Sequence, residues 1–271
     1  MSVLSLLKNQ VLSGVIAYNQ YKADHVCWIK TILYNALWFG FSGIRKLPIL
    51  IYNDVNILGK GVIRIEGEMY YGMIRIGVWK AKAHNPTRLM NYGTIVFKGR
   101  AIIQGGCIIE NYGGIINFGR YNKLAESCKI MCRRSIIIHD YVAVGYETTF
   151  MDTDFHYTID INNGRVLDCD DGVCIGEGTW ISSNCKIMKG SKLPKKSIVC
   201  SNSLLLHDYS KQLDYTIFAG MPAKPIKQGR MRIFNVLKEQ ELLSTFRSNN
   251  EMTELFLNEY DLQSLCYNNF F

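Results

Sequence analysis

From Ile175 to Leu205 an aliphatic side chain returns at every sixth position: Ile175, Ile181, Ile187, Leu193, Val199 and Leu205. Four residues after each of the first five comes a small one: Thr179, Cys185, Ser191, Ser197 and Ser203. With each residue class at a frequency of roughly 0.3, such a run arises by chance with a probability on the order of 10⁻⁶. A helix repeats about every 3.6 residues and a half-buried strand about every 2, so neither explains a strict six. A six-residue period fits a triangular solenoid with one short strand and one corner per repeat, three repeats per coil. The aliphatic residue points inward and stacks on the coils above and below, while the small one fits the narrowing corner. A single coil cannot bury its own face, so stacking must hold the fold together.

The same pattern recurs upstream in broken frames. Phe97, Ile103, Ile109 and Ile115 keep the spacing, with Ala101, Cys107 and Gly113 at the small position. Phe118, Leu124 and Ile130 keep it again, with Cys128 small; Ile138, Val144 and Phe150 do so with Val142 and Thr148. Ile57 to Ile76 is Gly-rich and β-branched but poorly phased. The expected organisation is a helical segment over 1–50, a solenoid over 51–229 and a helical extension over 230–271. Leu4, Leu7, Val11 and Val15 have helical spacing, and RIFNVLKEQELLSTF and EMTELFLNEYDLQSL read as two amphipathic helices. These ends cap the solenoid; for the N-terminal helices, docking on a membrane surface near Arg45 and Lys46 is the alternative.

Composition narrows the class. Lys plus Arg is 31 against Asp plus Glu 23, so the chain favours anionic partners, although net charge alone gives little reason to invoke nucleic acid. The nine cysteines are odd in number and lack zinc-site spacing, and five scattered histidines do not supply a three-His metal centre. No metal is expected. Free thiols and an N-terminus unlike a secretory signal point to a reducing, cytoplasmic setting. The greasy stretch Thr31–Ile44 contains Asn35 and is shorter than the roughly 18 apolar residues of a membrane span.

Three motifs follow in order: FMDTDFHYTID at 150–160, IGEGTWISSNCKIMKGS at 175–191 and FAGMPAKPIKQG at 218–229. Together with the phased hexads they resemble the hexapeptide-repeat acyltransferases of left-handed parallel β-helix fold, most closely the sugar and polysaccharide O-acetyltransferases. The resemblance covers residues 51–229. It implies acetyl-CoA as donor, a homotrimer, and active sites between neighbouring subunits. On the matching positions it implies His156 as catalytic base and Trp180 as a wall of the same cleft. It places Ser183 and Ser201 along the CoA arm, and Gly220 and Lys224 at the loop that meets the nucleotide end.

The residues themselves support that chemistry. His156 lies where the repeat breaks, before the non-repeating YTIDINNGRVLDCDDGV, and a break in a solenoid makes a loop on a rigid scaffold. Asp154 is the expected carboxylate partner of the imidazole, with turn formation or an acceptor contact as competing roles. Lys186, Lys189, Lys192, Lys195 and Lys196 crowd the last coils, where most read as solvated outward positions. The expected activity is O-acetylation of a carbohydrate hydroxyl in a ternary complex. N-acylation of an amino-sugar nucleotide is the alternative, followed by a metal-dependent or non-catalytic β-helix.

Overall fold

The computed structural model describes residues 25–79, 85–249, 252–257 and 265. The helical spacing over Leu4–Val15 and His84 lie outside them. Three sheets make the faces of a triangular prism. The first face begins with Ile49–Ile51 and Ile74–Val78, passes through Ala143–Val144, Trp180–Ile181 and Ile198–Val199, and ends at Ile217–Gly220 with an antiparallel return strand, Ala223–Lys227. The second runs from Val55–Leu58 through Lys129–Cys132, Thr149–Met151 and Lys186–Ile187 to Leu204–Leu205. The third runs from Val62–Ile65 through Ser135–Ile138 and Val173–Ile175 to Lys192–Leu193. Apart from the return strand, every pairing within the faces is parallel, as a continuous coil requires.

From Leu89 on, the loop at 152–172 aside, the coils up to Leu205 are of two lengths. Leu89, Ile109, Ile130 and Phe150 stand in register on the second face, at steps of 20, 21 and 20 residues. Ile187 and Leu205, on the same face, are 18 apart, three strict hexads. The longer coils carry mostly three- to five-residue strands and the shorter ones mostly two-residue strands. This corrects one upstream frame: Ile115 is 47% exposed, whereas Ile116 is the inward residue. The small corner position likewise belongs to Gly114, where a Cβ would lie 2.7 Å from the Cys132 sulfur, and not to Gly113.

One column of aliphatic and aromatic side chains fills the prism. Phe97 and Phe118 stack at 5.1 Å with planes 9° apart, and Ile138, Ile175 and Leu193 continue the line. At the second corner Asn111 donates to the side chain of Asn91, so a polar ladder runs beside the apolar column. Cys107, Cys128 and Cys185 are buried at the corners expected for them, their thiols donating to carbonyls of the next coil. Burial raises the Cys107 and Cys185 thiols above the ordinary range.

Helix Trp28–Lys46 closes the N-terminal end against Ile49–Ile51. Helix Val236–Ser248 follows the return strand, its N-terminus capped by Asn235, whose side chain accepts from the Lys238 N–H. Of the second expected C-terminal helix, 252–257 are irregular and Leu265 is helical, its carbonyl accepting from the Phe234 and Asn235 N–H groups; the rest of it lies outside the described residues.

Candidate active site

The loop at 152–172 leaves the edge between the second and third faces at the step where long coils give way to short ones. It is a hairpin-like excursion, with an antiparallel bridge at Thr153 and Asp170 near its root and another at Ile159 and Val166 near its tip. Its root is built on Asp152, whose buried carboxylate accepts from the Arg133 and Arg134 N–H groups at 2.7 and 2.9 Å and from the Cys132 thiol at 3.3 Å. Asp152 thereby extends the Asn91–Asn111 corner ladder, so its charge is consumed by the scaffold. Burial, then the adjacent Asp152 carboxylate, holds the Cys132 thiol far above the ordinary range.

The arginine side chains tie down the returning arm. Arg134 donates to the Asp170 carbonyl and to the Asp168 carboxylate, each at 2.9 Å, while Arg133 lies 3.6 Å from the Asp170 carboxylate. Hydrogen bonding from Thr153 leads the effects that lower the Asp170 carboxyl. Asp168, Cys169 and Asp170 form a grouping with metal-ligand atoms, but both carboxylates are already engaged by these guanidinium groups.

His156 sits on the outgoing arm directly after two anchored residues. Asp154 pairs with Lys189 at 2.5 Å. Phe155, at φ 61°, packs edge-on against Tyr112 at 5.3 Å and 84°. Tyr112 donates to Glu110 at 2.7 Å, and burial followed by that bond pushes its phenol up to about 12. His156 itself is exposed and makes no hydrogen bond among the described residues. The expected Asp154–His156 pair is therefore not formed in the single chain: the ammonium of Lys189, one coil below, takes the carboxylate.

Trp180 lies elsewhere. It begins the next strand of the first face, so the whole width of the third face, Val173–Ile175, separates it from the loop. It lines a cavity of about 660 Å³ between the first face and the C-terminal segment, together with Lys123, Gly145, Arg232, Phe234 and Glu239. The Arg232 guanidinium stands 5.3 Å from the Trp180 ring and 5.1 Å from that of Phe234. Burial, reinforced by Arg232, lowers the Lys123 ammonium from its ordinary value.

Ser183, Ser201 and Gly220 fall on one edge, between the first and second faces, in consecutive coils. The Asn202 N–H donates to the Ser183 carbonyl, and the Gly220 N–H to the Ser203 hydroxyl. Gly145 lies above Ser183 with no room for a side chain: a Cβ would meet the Ser183 nitrogen at 2.6 Å. Lys224 is exposed on the return strand, paired across the hairpin with Ala219. Of the other lysines, Lys189 anchors Asp154, Lys192 bonds Asp208 at 2.9 Å, and Lys196 bonds the Tyr215 hydroxyl at 3.1 Å. The structure thus gathers three of the donor-site candidates on one edge and leaves His156 and Trp180 on different parts of the prism. Sequence reasoning missed Tyr112, Arg133, Arg134 and Arg232; the opposite charge of Arg133–Arg134 and the DCDD run at 168–171 was the one signal for the clamp.

No protein-family model matches the chain, and neither does any curated protein. Among solved structures, the polySia-specific acetyltransferase NeuO matches with a TM-score of 0.52 at 18% identity, over 76% of this chain and 84% of that one. AntD, an N-acyltransferase from Bacillus cereus solved with dTDP and coenzyme A, gives 0.42 at 18% identity over 74% and 88%. The hexapeptide-repeat acetyltransferase VCA0836 from Vibrio cholerae O1 biovar eltor, solved with acetyl-coenzyme A, gives 0.33 at 15% over 74% and 84%. With its three parallel faces, six-residue period and likeness to NeuO, the chain is a left-handed parallel β-helix with helical extensions at both ends.

Proposed function

We propose that this protein is an acetyl-CoA-dependent acyltransferase that O-acetylates a carbohydrate hydroxyl, working as a homotrimer. The observation that carries the reading is His156: an exposed imidazole directly after two anchored residues, on a loop fixed to a rigid scaffold. Such a base takes the proton of the acceptor hydroxyl as its oxygen attacks the thioester carbonyl. The tetrahedral oxyanion then collapses, the C–S bond breaks, and the thiolate leaves with the proton returned by the imidazolium. Direct transfer is favoured over an acyl-cysteine route because no cysteine adjoins His156 in the sequence, and burial raises the Cys107, Cys132, Cys174 and Cys185 thiols away from the reactive range. Asp154 acts here as a positioning residue through Lys189.

The donor fits the edge of Ser183, Ser201 and Gly220, with Lys224 available to CoA phosphate. Trp180 forms a wall of the neighbouring cleft. Because His156 and Trp180 lie a full face apart in one chain, a complete site needs the loop of one subunit against the first face of another. The acceptor belongs to a glycan such as capsule or lipopolysaccharide, and the enzyme works in the cytoplasm. NeuO, which matches with a TM-score of 0.52, is named as a polySia-specific acetyltransferase, which accords with this choice. The test is a screen of glycan and amino-sugar-nucleotide acceptors with acetyl-CoA, reading thiol release. His156→Ala should lower turnover by roughly 10²–10⁴-fold with CoA affinity within a few-fold. A folded His156→Ala variant with near-normal turnover would refute the mechanism; transfer confined to amines would replace O- by N-acylation.

A further inference from the structure

Helix Trp28–Lys46 is apolar on both sides, yet the solenoid uses only one of them. Its inward side continues the sheet. The Asn35 side chain donates to the Ile49 carbonyl at 2.7 Å and accepts from the Ile49 N–H at 3.1 Å. Thr31 repeats the arrangement on Ile51, accepting at 3.0 Å and donating at 3.3 Å. Two short side chains thus satisfy an edge strand that would otherwise end the sheet with open N–H and carbonyl groups. Tyr34, Trp38 and Phe39 pack on the core beside them.

The outward side is different. Ile29, Phe41 and Leu37 are 81%, 79% and 68% exposed, and Trp28, Ile32, Leu33 and Ile44 are about half exposed. A helix apolar all round needs cover on every side, and the solenoid supplies only half. The helix contains no acidic residue, and Arg45 and Lys46 close its C-terminal end. Arg45 has no ion-pair partner among the described residues, while Lys46 stands 4.0 Å from the well-exposed Glu68. Gly40, at φ 60°, kinks the helix before Phe41. Among the described residues no helix is long and apolar enough to cross a membrane.

We propose that this outward face docks in the surface of an anionic lipid bilayer. Ile29, Leu33, Leu37 and Phe41 would enter the headgroup boundary, and Arg45 and Lys46 would engage lipid phosphates. Charge decides for lipid: an apolar stripe ended by two cations with no acid along the helix complements an anionic surface. This inference is independent of the catalytic reading.

The test is co-sedimentation of the full chain with vesicles of phosphatidylcholine, alone or containing phosphatidylglycerol. The wild-type protein should pellet with the anionic vesicles, and binding should weaken as salt rises. Leu37→Glu with Phe41→Glu should reduce binding at least about tenfold. Arg45→Ala and Lys46→Ala should each cost roughly fivefold on anionic vesicles and little on neutral ones. Leu243→Glu, on the C-terminal helix, should change nothing. Failure of the wild-type protein to bind, or undiminished binding by the double glutamate variant, overturns the proposal. So do two other outcomes without vesicle binding. A lower oligomer mass in that variant assigns the face to a second copy. A fall in its melting temperature assigns the face to cover from within the chain.

Discussion

The coils before the loop and those after it solve the same packing problem in different ways. From Ile175 to Leu205 each side is a hexad: in most a two-residue strand, an inward aliphatic residue and a small residue at the corner, as at Thr179, Ser191 and Ser197. From Leu89 to Phe150 the coils run two or three residues longer, with strands of up to five residues. Their larger second corner is filled by hydrogen-bonded polar side chains, Asn91 and Asn111, and finally by Asp152 beneath the loop. The lesson is where the loop comes out. A scaffold of constant coil length has no natural break, whereas a change of length forces one corner to be rebuilt, and His156 is carried from that corner.

The largest effect that could break this comparison concerns the frame of the long coils. Ile116→Ala should cost about 2–5 kcal/mol of stability because Ile116 is fully buried, and Ile115→Ala less than about 1 kcal/mol. Equal losses in urea unfolding would restore the strict six-residue frame and remove the distinction between coil types.

The rebuilt corner comes next. Asp152→Ala leaves two part-buried backbone N–H groups without their acceptor, a loss of about 1–3 kcal/mol. Since the loop root moves with it, turnover should fall by more than the loss of folded protein accounts for. Asn111→Ala, two rungs away, should destabilise without that extra loss of turnover. If both variants keep full specific activity per folded molecule, the corner does not position His156.

The short coils are expected to hold the donor. Lys224→Ala should raise the Michaelis constant for acetyl-CoA roughly 5–30-fold, equivalent to about 1–2 kcal/mol, with turnover little changed. The effect should shrink with acetyl-pantetheine, which lacks the nucleotide end. Equal losses with both donors would place Lys224 away from the phosphates.

The smallest effect sharpens the picture of the last coil. Hydrogen bonds from Ser210, then from Lys192, hold the Asp208 carboxyl down at about 2. The unfolded value is about 3.9, so the folded protein gains stability from this carboxylate above pH 4 and loses it as pH falls toward 2. The group is well exposed, so the gain is less than about 1 kcal/mol. Asp208→Asn should flatten only the acid limb of a stability–pH curve; a change near neutrality would assign Asp208 another role.

Much of this molecule is written locally. Six-residue spacing with small corners is a rule of contact between one coil and the next, so Ile175 to Leu205 dictates the solenoid before any tertiary information is consulted. The break in that spacing also located the loop and its histidine. What the sequence alone left open depends on partners distant along the chain. Ile116, rather than Ile115, turns inward because the long coil adds a residue at its corner. Asp154 goes to Lys189, 35 positions away, and Asp152 to backbone N–H groups of the previous coil. Stacking brings these groups together, and their competition for the carboxylates is settled by distance in space. The N-terminal helix shows the same division: its apolar stretch Thr31–Ile44 was legible, but only its seating on Ile49–Ile51 decided which side the solenoid would cover and which it would leave exposed.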